Sequence, residues 1–198
     1  MHNNPIILLI GRSKSGKDEF FKILKDAGVN VHRVSMADKL KQLTADLLNI
    51  SLEELEKNKE KYRDFLIYGG NLVRKISSTY WVEEAAKSIP IKDKNKLYVV
   101  TDVRYYNELS YFRWEFNDDF VAVPIYSTLE VLKSRGYNEK NFNHISESLV
   151  EIFLKPPYNQ QSKYIYKLLE NNGSYEDFKA KVLECYSHIN QTFNGVQN

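Results

Sequence analysis

An apolar run that stops at a glycine and leads straight into a helix restricts this chain more than anything else in it. Residues 6–10 read IILLI, and Gly11 ends the run. Five consecutive apolar residues bounded by a turn signal predict a strand buried on both faces of a parallel sheet. After GRSKSGKD, the residues Phe20, Phe21, Ile23, Leu24 and Ala27 recur at helical spacing, and Gly28 is the stop. A buried parallel strand cannot stand alone, so the rest of the chain must supply partner strands joined by crossover helices.

Between strand and helix, Gly11 to Asp18 nearly completes the template G-x-x-x-x-G-K-[ST]. Gly11 and Gly16 permit a backbone whose N–H groups turn inward on phosphates. The helix starting near Gly16 offers its positive end, and Lys17 reaches the β- and γ-phosphates as a mobile charge. The expected ATP contacts are Gly11, Arg12, Ser13, Lys14, Ser15, Gly16, Lys17 and Asp18, with Arg12 and Lys14 adding positive potential at the rim. The last position departs from the template, because Asp18 stands where a hydroxyl that touches magnesium is usual. A carboxylate there either holds Mg2+ through a water or only charges the first helical turn. Both readings are compatible with nucleotide binding.

Downstream segments meet the demand for further strands. Residues 29–35, 97–101 (LYVVT) and 120–125 (FVAVPI) are strand candidates, followed by helix-compatible segments at 36–49, 104–116 and 128–134. Residues 62–76 and 78–89 read as helices with an interruption near Gly69–Gly70, and Ser51 with Glu54 opens another. KYIYKLL (163–169) fits strand or helix by periodicity alone, and Ser174 caps a last helix to about His188. The expected fold class is α/β, with a central, mostly parallel sheet flanked by helices, and 198 residues suit a single domain. A net charge of +2 carries no bulk sign of a nucleic-acid polymer as partner. The longest apolar stretch, 5–10, is too short to span a membrane, and no leader precedes it. The lone Cys185 makes no internal disulfide, which fits a cytoplasmic location.

Several segments together resemble one family. SGKD (15–18) is shared by deoxynucleoside monophosphate kinases, largely of phages, and by animal phosphomevalonate kinases. SMADKLK (35–41) resembles the first group's F-A-D-P-L-K block, and 62–89 its R-R-L-L-Q-x-L-G-T-x-x-x-R…W-V block. VVTDVRYYNEL (99–109) is similar to its D-V-R-F-P-N-E strand end, NHISESL (143–149) to its H-x-S-E, and NNGSYEDF (171–178) to its N-x-G-S-x-E-E-L. The blocks keep the family's order and cover nearly the whole chain. Leu66, Gly70 and Tyr105–Tyr106 depart from its usual Gln, Thr and Phe-Pro, which bears on base selectivity.

The resemblance implies a P-loop NTPase fold of five strands, with KYIYKLL as the fifth. It also implies a helical acceptor-binding region at about 36–90 and a lid at about 135–147. The implied reaction is ATP plus a deoxynucleoside monophosphate giving ADP and the diphosphate, with Mg2+ as cofactor. Arg63 and Arg74 would face the acceptor phosphate, or are ordinary helix-surface charge. Trp81, with Tyr80 and Phe65, would stack on the acceptor base, or belongs to the core. Asp102, closing the third strand, would hold magnesium through water or cap the next helix. Arg104 would reach phosphates or pair with a carboxylate, and Arg135 begins the lid as a catalytic charge. His144 is read as a structural lid residue. The alternatives are a phosphomevalonate kinase-like small-molecule kinase, whose acceptor site needs no base stacking, and a regulatory protein that binds ATP without turnover. A homodimer stays open, and the location would be the host cytoplasm if the source is viral.

Overall fold

The computed structural model describes residues 5–90, 96–117, 119–138, 147, 150–155 and 164–194. In chain order the elements are β1 (Ile6–Ile10), α1 (Lys17–Asp26), β2 (Val31–Val34), α2 (Met36–Leu48), α3 (Leu52–Lys57), α4 (Lys59–Ile76) and α5 (Tyr80–Ala86). There follow β3 (Leu97–Val103), α6 (Tyr106–Phe116), β4 (Phe120–Tyr126), α7 (Leu129–Ser134), α8 (Val150–Phe153), β5 (Leu169–Glu170) and α9 (Tyr175–Asn194). The residues gather into two compact units, one of Met1–Arg33 with Ile91–Asn198, the other of Val34–Pro90.

The five strands form one sheet in the order β2-β3-β1-β4-β5, with β1 parallel to β3 and β4, and β4 parallel to β5. All five residues of β1 are buried, as a central strand covered on both faces must be. Ile7 and Leu9 face one layer, where they meet Phe20, Ile23 and Leu24 of α1 and Phe178, Val182, Cys185 and Ile189 of α9. The last four recur at helical spacing and make α9 the outer wall of this core. Burial there pushes the Cys185 thiol up.

Against β3 the register changes. Leu8 pairs with Val100 and Ile10 with Val103, so β3 carries one extra residue around Thr101–Asp102. Such a bulge re-aims side chains at a strand end. The next helix begins at Tyr106, later than the sequence pattern predicts. The buried Glu108 carboxylate accepts from the Arg104 and Tyr105 N–H groups at 2.8 and 3.1 Å and so fixes both residues ahead of the first turn. KYIYKLL is a strand only in pieces: Ile165 bridges Ala122, and Leu169–Glu170 pair with Ile125 and Tyr126.

The other unit is helical. Ser35 Oγ accepts from Ala37 N–H at the start of α2, and Ser51 Oγ from Glu54 N–H at the start of α3. The helix α4 runs unbroken through Gly69–Gly70, contrary to the expected interruption. Gly70 serves close packing: a Cβ there would stand 3.1 Å from Leu40 Cδ2 of α2. Among the described residues no helix is long and apolar enough to cross a membrane.

Candidate functional site

The turn from β1 into α1 is built so tightly that only glycine fits at its two ends. A Cβ on Gly11 would lie 2.6 Å from Ile125 O, and one on Gly16 would lie 2.4 Å from Asn171 Nδ2. Gly16 also has φ +110°, a left-handed conformation that favours glycine. Asn171, in the turn after β5, holds the loop from behind. Its Nδ2 donates to Ser15 O at 2.9 Å, while its own carbonyl accepts from Ser127 Oγ at 2.7 Å. Arg135 completes this clamp, with one amino group donating to Ser127 Oγ and the other to Asn171 O and Oδ1, each at 3.1 Å.

Lys17 opens α1 and is buried, its ammonium donating to Gly11 O at 2.9 Å and Arg12 O at 2.7 Å. Burial, with the Arg104 charge second, brings its pKa down to about 8. A phosphate at the loop would favour the charged form of this buried ammonium. Glu147, Asp18 and Asp102 act in the opposite direction on the same ammonium. Asp18 is exposed in the first helical turn and Asp102 is half-buried at the bulge of β3.

A second group of charges adjoins the loop. Arg104 makes an ion pair with Glu147 at 2.5 Å, and Glu147 is itself only 3% exposed. The other oxygen of Glu147 accepts from Ser13 N–H at 3.2 Å and from the Tyr137 hydroxyl at 3.4 Å. Arg12, expected at the rim, is instead buried: its Nε donates to Glu151 Oε1 of α8 at 2.9 Å. Lys14 is exposed, with φ +65°.

The three acceptor candidates lie in the helical unit. Arg63 and Arg74 stand three turns apart on one face of α4. Arg63 pairs with Glu60 at 2.7 Å, while its Nε is buried with no hydrogen-bond partner. Trp81 takes the core alternative. It is 3% exposed, its indole N–H donates to Gly70 O at 3.0 Å, and Tyr80 packs edge-on at 4.8 Å, so its ring is no open platform for a base.

The structure thus gathers Gly11 to Asp18 with Asp102, Arg104 and Arg135 around one loop. Arg135 also reaches the Lys14 carbonyl of that loop at 3.5 Å. Most of the expected lid, including Lys140 and His144, lies outside the described residues. Sequence reasoning passed over Glu147, Glu151, Asn171 and Glu108. Glu147 and Asn171 stand inside the quoted H-x-S-E and N-x-G-S blocks, where their acid and amide were the available signal. Among the described residues no group of three or more His, Cys, Asp or Glu forms a ready metal site.

Several solved kinase structures are similar to this chain. A gluconokinase from Sinorhizobium meliloti 1021 superposes with a TM-score of 0.55 at 12% identity, covering all of both chains. A dephospho-CoA kinase from Campylobacter jejuni gives 0.53 at 16%, covering 94% of this chain and 98% of the other. A shikimate kinase from Acinetobacter baumannii, solved with shikimate, gives 0.51 at 16%, covering 93% of each. At such identities the likeness shows the fold, which is that of the P-loop kinases. No curated protein sequence matches significantly. The family model described as phosphomevalonate kinase matches residues 9–118, more than half of the chain.

Proposed function

Because the chain belongs to the phosphomevalonate kinase family, we propose that it transfers the γ-phosphoryl group of ATP to the phosphate of a small phosphomonoester. The γ-phosphorus bonds to an oxygen of the acceptor phosphate as the β–γ bridging P–O bond breaks, leaving ADP and a diphosphate. The nucleophile is already an anion, so no general base is required and catalysis rests on positioning and charge. The observation that carries this reading is the buried Lys17 ammonium next to Arg104, inside a loop closed at both ends by glycine. That is positive charge held out of water for an anion, more than a passive turn needs.

Magnesium accompanies ATP in this reading. Asp18 and Asp102, both within the field of Lys17, fit a hold through water, and the ion would supply charge that neutralises the β- and γ-phosphates. Lys17 steadies the transferring group, the loop N–H groups orient the triphosphate, and Arg63 and Arg74 are the side chains that would bind the acceptor phosphate.

The favoured acceptor is an acyclic phosphomonoester of the phosphomevalonate kind. Burial of Trp81 supports it, since that indole offers no open face to a base. A deoxynucleoside monophosphate is the second reading, supported by the exposed Phe65 and Tyr68 of α4. Coupled ADP release with phosphomevalonate and the four deoxynucleoside monophosphates separates the two. Turnover confined to a nucleotide would overturn the first reading.

A further inference from the structure

The Glu147 carboxylate lies where an anion belongs. Its two oxygens accept from the Ser13 N–H of the phosphate loop, from the Arg104 guanidinium and from the Tyr137 hydroxyl. The Lys17 ammonium lies within its field. A loop N–H, a guanidinium and a phenol hydroxyl converging on one carboxylate form the donor set of an oxyanion seat. A carboxylate that is 3% exposed tolerates burial only because those donors replace its water.

Resting on the kinase reading above, we propose that Glu147 is an internal anion that fills part of the phosphate loop in the nucleotide-free protein. An incoming phosphate displaces it, and Glu147 thereby sets nucleotide affinity. The competition follows from charge. Phosphate oxygens brought to Ser13 N–H and Arg104 would face the carboxylate across the same donors, and two like charges do not share one seat. The phosphate carries more charge than the carboxylate and takes the donors. Nucleotide binding therefore includes the cost of releasing Glu147 into water. Arg12, paired with Glu151, also donates to the Tyr137 hydroxyl at 3.4 Å, so this pair adjoins the seat through that hydroxyl.

A purely structural role for Glu147, holding Arg104 in place, predicts the opposite sign. Without its carboxylate Arg104 would stray and phosphates would bind less well. Calorimetric titration of the full chain with ADP and with pyrophosphate distinguishes them, using the wild type, Glu147→Gln and Glu147→Ala. Displacement predicts that both variants bind both ligands about tenfold more tightly or better, as expected when a charge-assisted contact set stops competing. Unchanged or weaker binding by folded variants overturns the proposal and leaves the kinase reading standing. Failure of every form, wild type included, to bind either ligand removes both. The wild type provides a test independent of variant folding. Its Glu147 carboxyl 13C resonance and Ser13 amide resonance should both shift on saturation with pyrophosphate, and a stationary Glu147 resonance overturns the proposal.

Discussion

Lys17 sets stability against function. With its pKa lowered from 10.5 to about 8, the native chain binds fewer protons than the unfolded chain between those values. Stability therefore rises with pH across that window, and the cost of the buried charge is fully present below pH 8, on the order of 3 kcal/mol. In urea unfolding, the wild type should gain roughly 2–3 kcal/mol on Lys17→Met between pH 7 and pH 10.5. A constant difference between the two proteins would mean that Lys17 is not held in this state. The same shift predicts that nucleotide binding at pH 8.5–9 takes up a proton, because phosphate restores the charged form. Titrations in buffers of different ionisation enthalpy measure that uptake. The residues of this loop were legible in the sequence because glycine and lysine at fixed spacing have few other uses. Glu147 and Asn171 were not, since a carboxylate or amide far along the chain declares its partner only when the sheet brings it home.

At the scale of elements, the sequence pattern predicts a break in α4, yet the helix is continuous, and the reason is local. Gly69 and Gly70 resemble a breaker in sequence, yet the helix continues, and the missing side chain of Gly70 lets Leu40 of α2 approach. Two substitutions divide the roles. A Cβ on Gly69 would meet only Leu40 Cδ1 at 3.9 Å, so Gly69→Ala should stabilise the fold by about 0.5–1 kcal/mol by restricting the unfolded chain. Gly70→Val would press into Leu40 and should destabilise by about 1–3 kcal/mol. Thermal unfolding checks both, and equal effects would show that the packing of α4 is misdescribed. The positions of β1, β3 and β4 were legible because buried parallel strands are largely continuous apolar runs. β2 (VHRV) is only partly buried, and KYIYKLL pairs only at Ile165 and at Leu169. The bulge in β3 left no mark in LYVVTDV, since extra residues alter pairing and not hydrophobicity. Arg63→Ala and Arg74→Ala belong to the same helix. Each should raise the apparent KM for the acceptor several-fold or more with little change in that for ATP, and steady-state kinetics with one substrate varied at a time measures this.

For the whole molecule, the loop, the strand order and the match over residues 9–118 agree on a small-molecule kinase of the phosphomevalonate kinase family. The class was legible from the first strand, its loop and its helix. The acceptor was not, because it depends on which aromatic rings stay open, and the helical unit buries Trp81 while leaving Phe65 and Tyr68 exposed. The most direct test of the central claim is a 31P NMR time course with ATP, Mg2+ and each candidate phosphomonoester, run with the wild type and with Lys17→Ala. The account predicts that one acceptor yields equal amounts of ADP and a new diphosphate. Lys17→Ala, though folded, should be slower by about 10²–10³, the loss usual for one preorganised charge. ATP that remains intact or is only hydrolysed with every phosphomonoester, or a folded Lys17→Ala that turns over like the wild type, would contradict it.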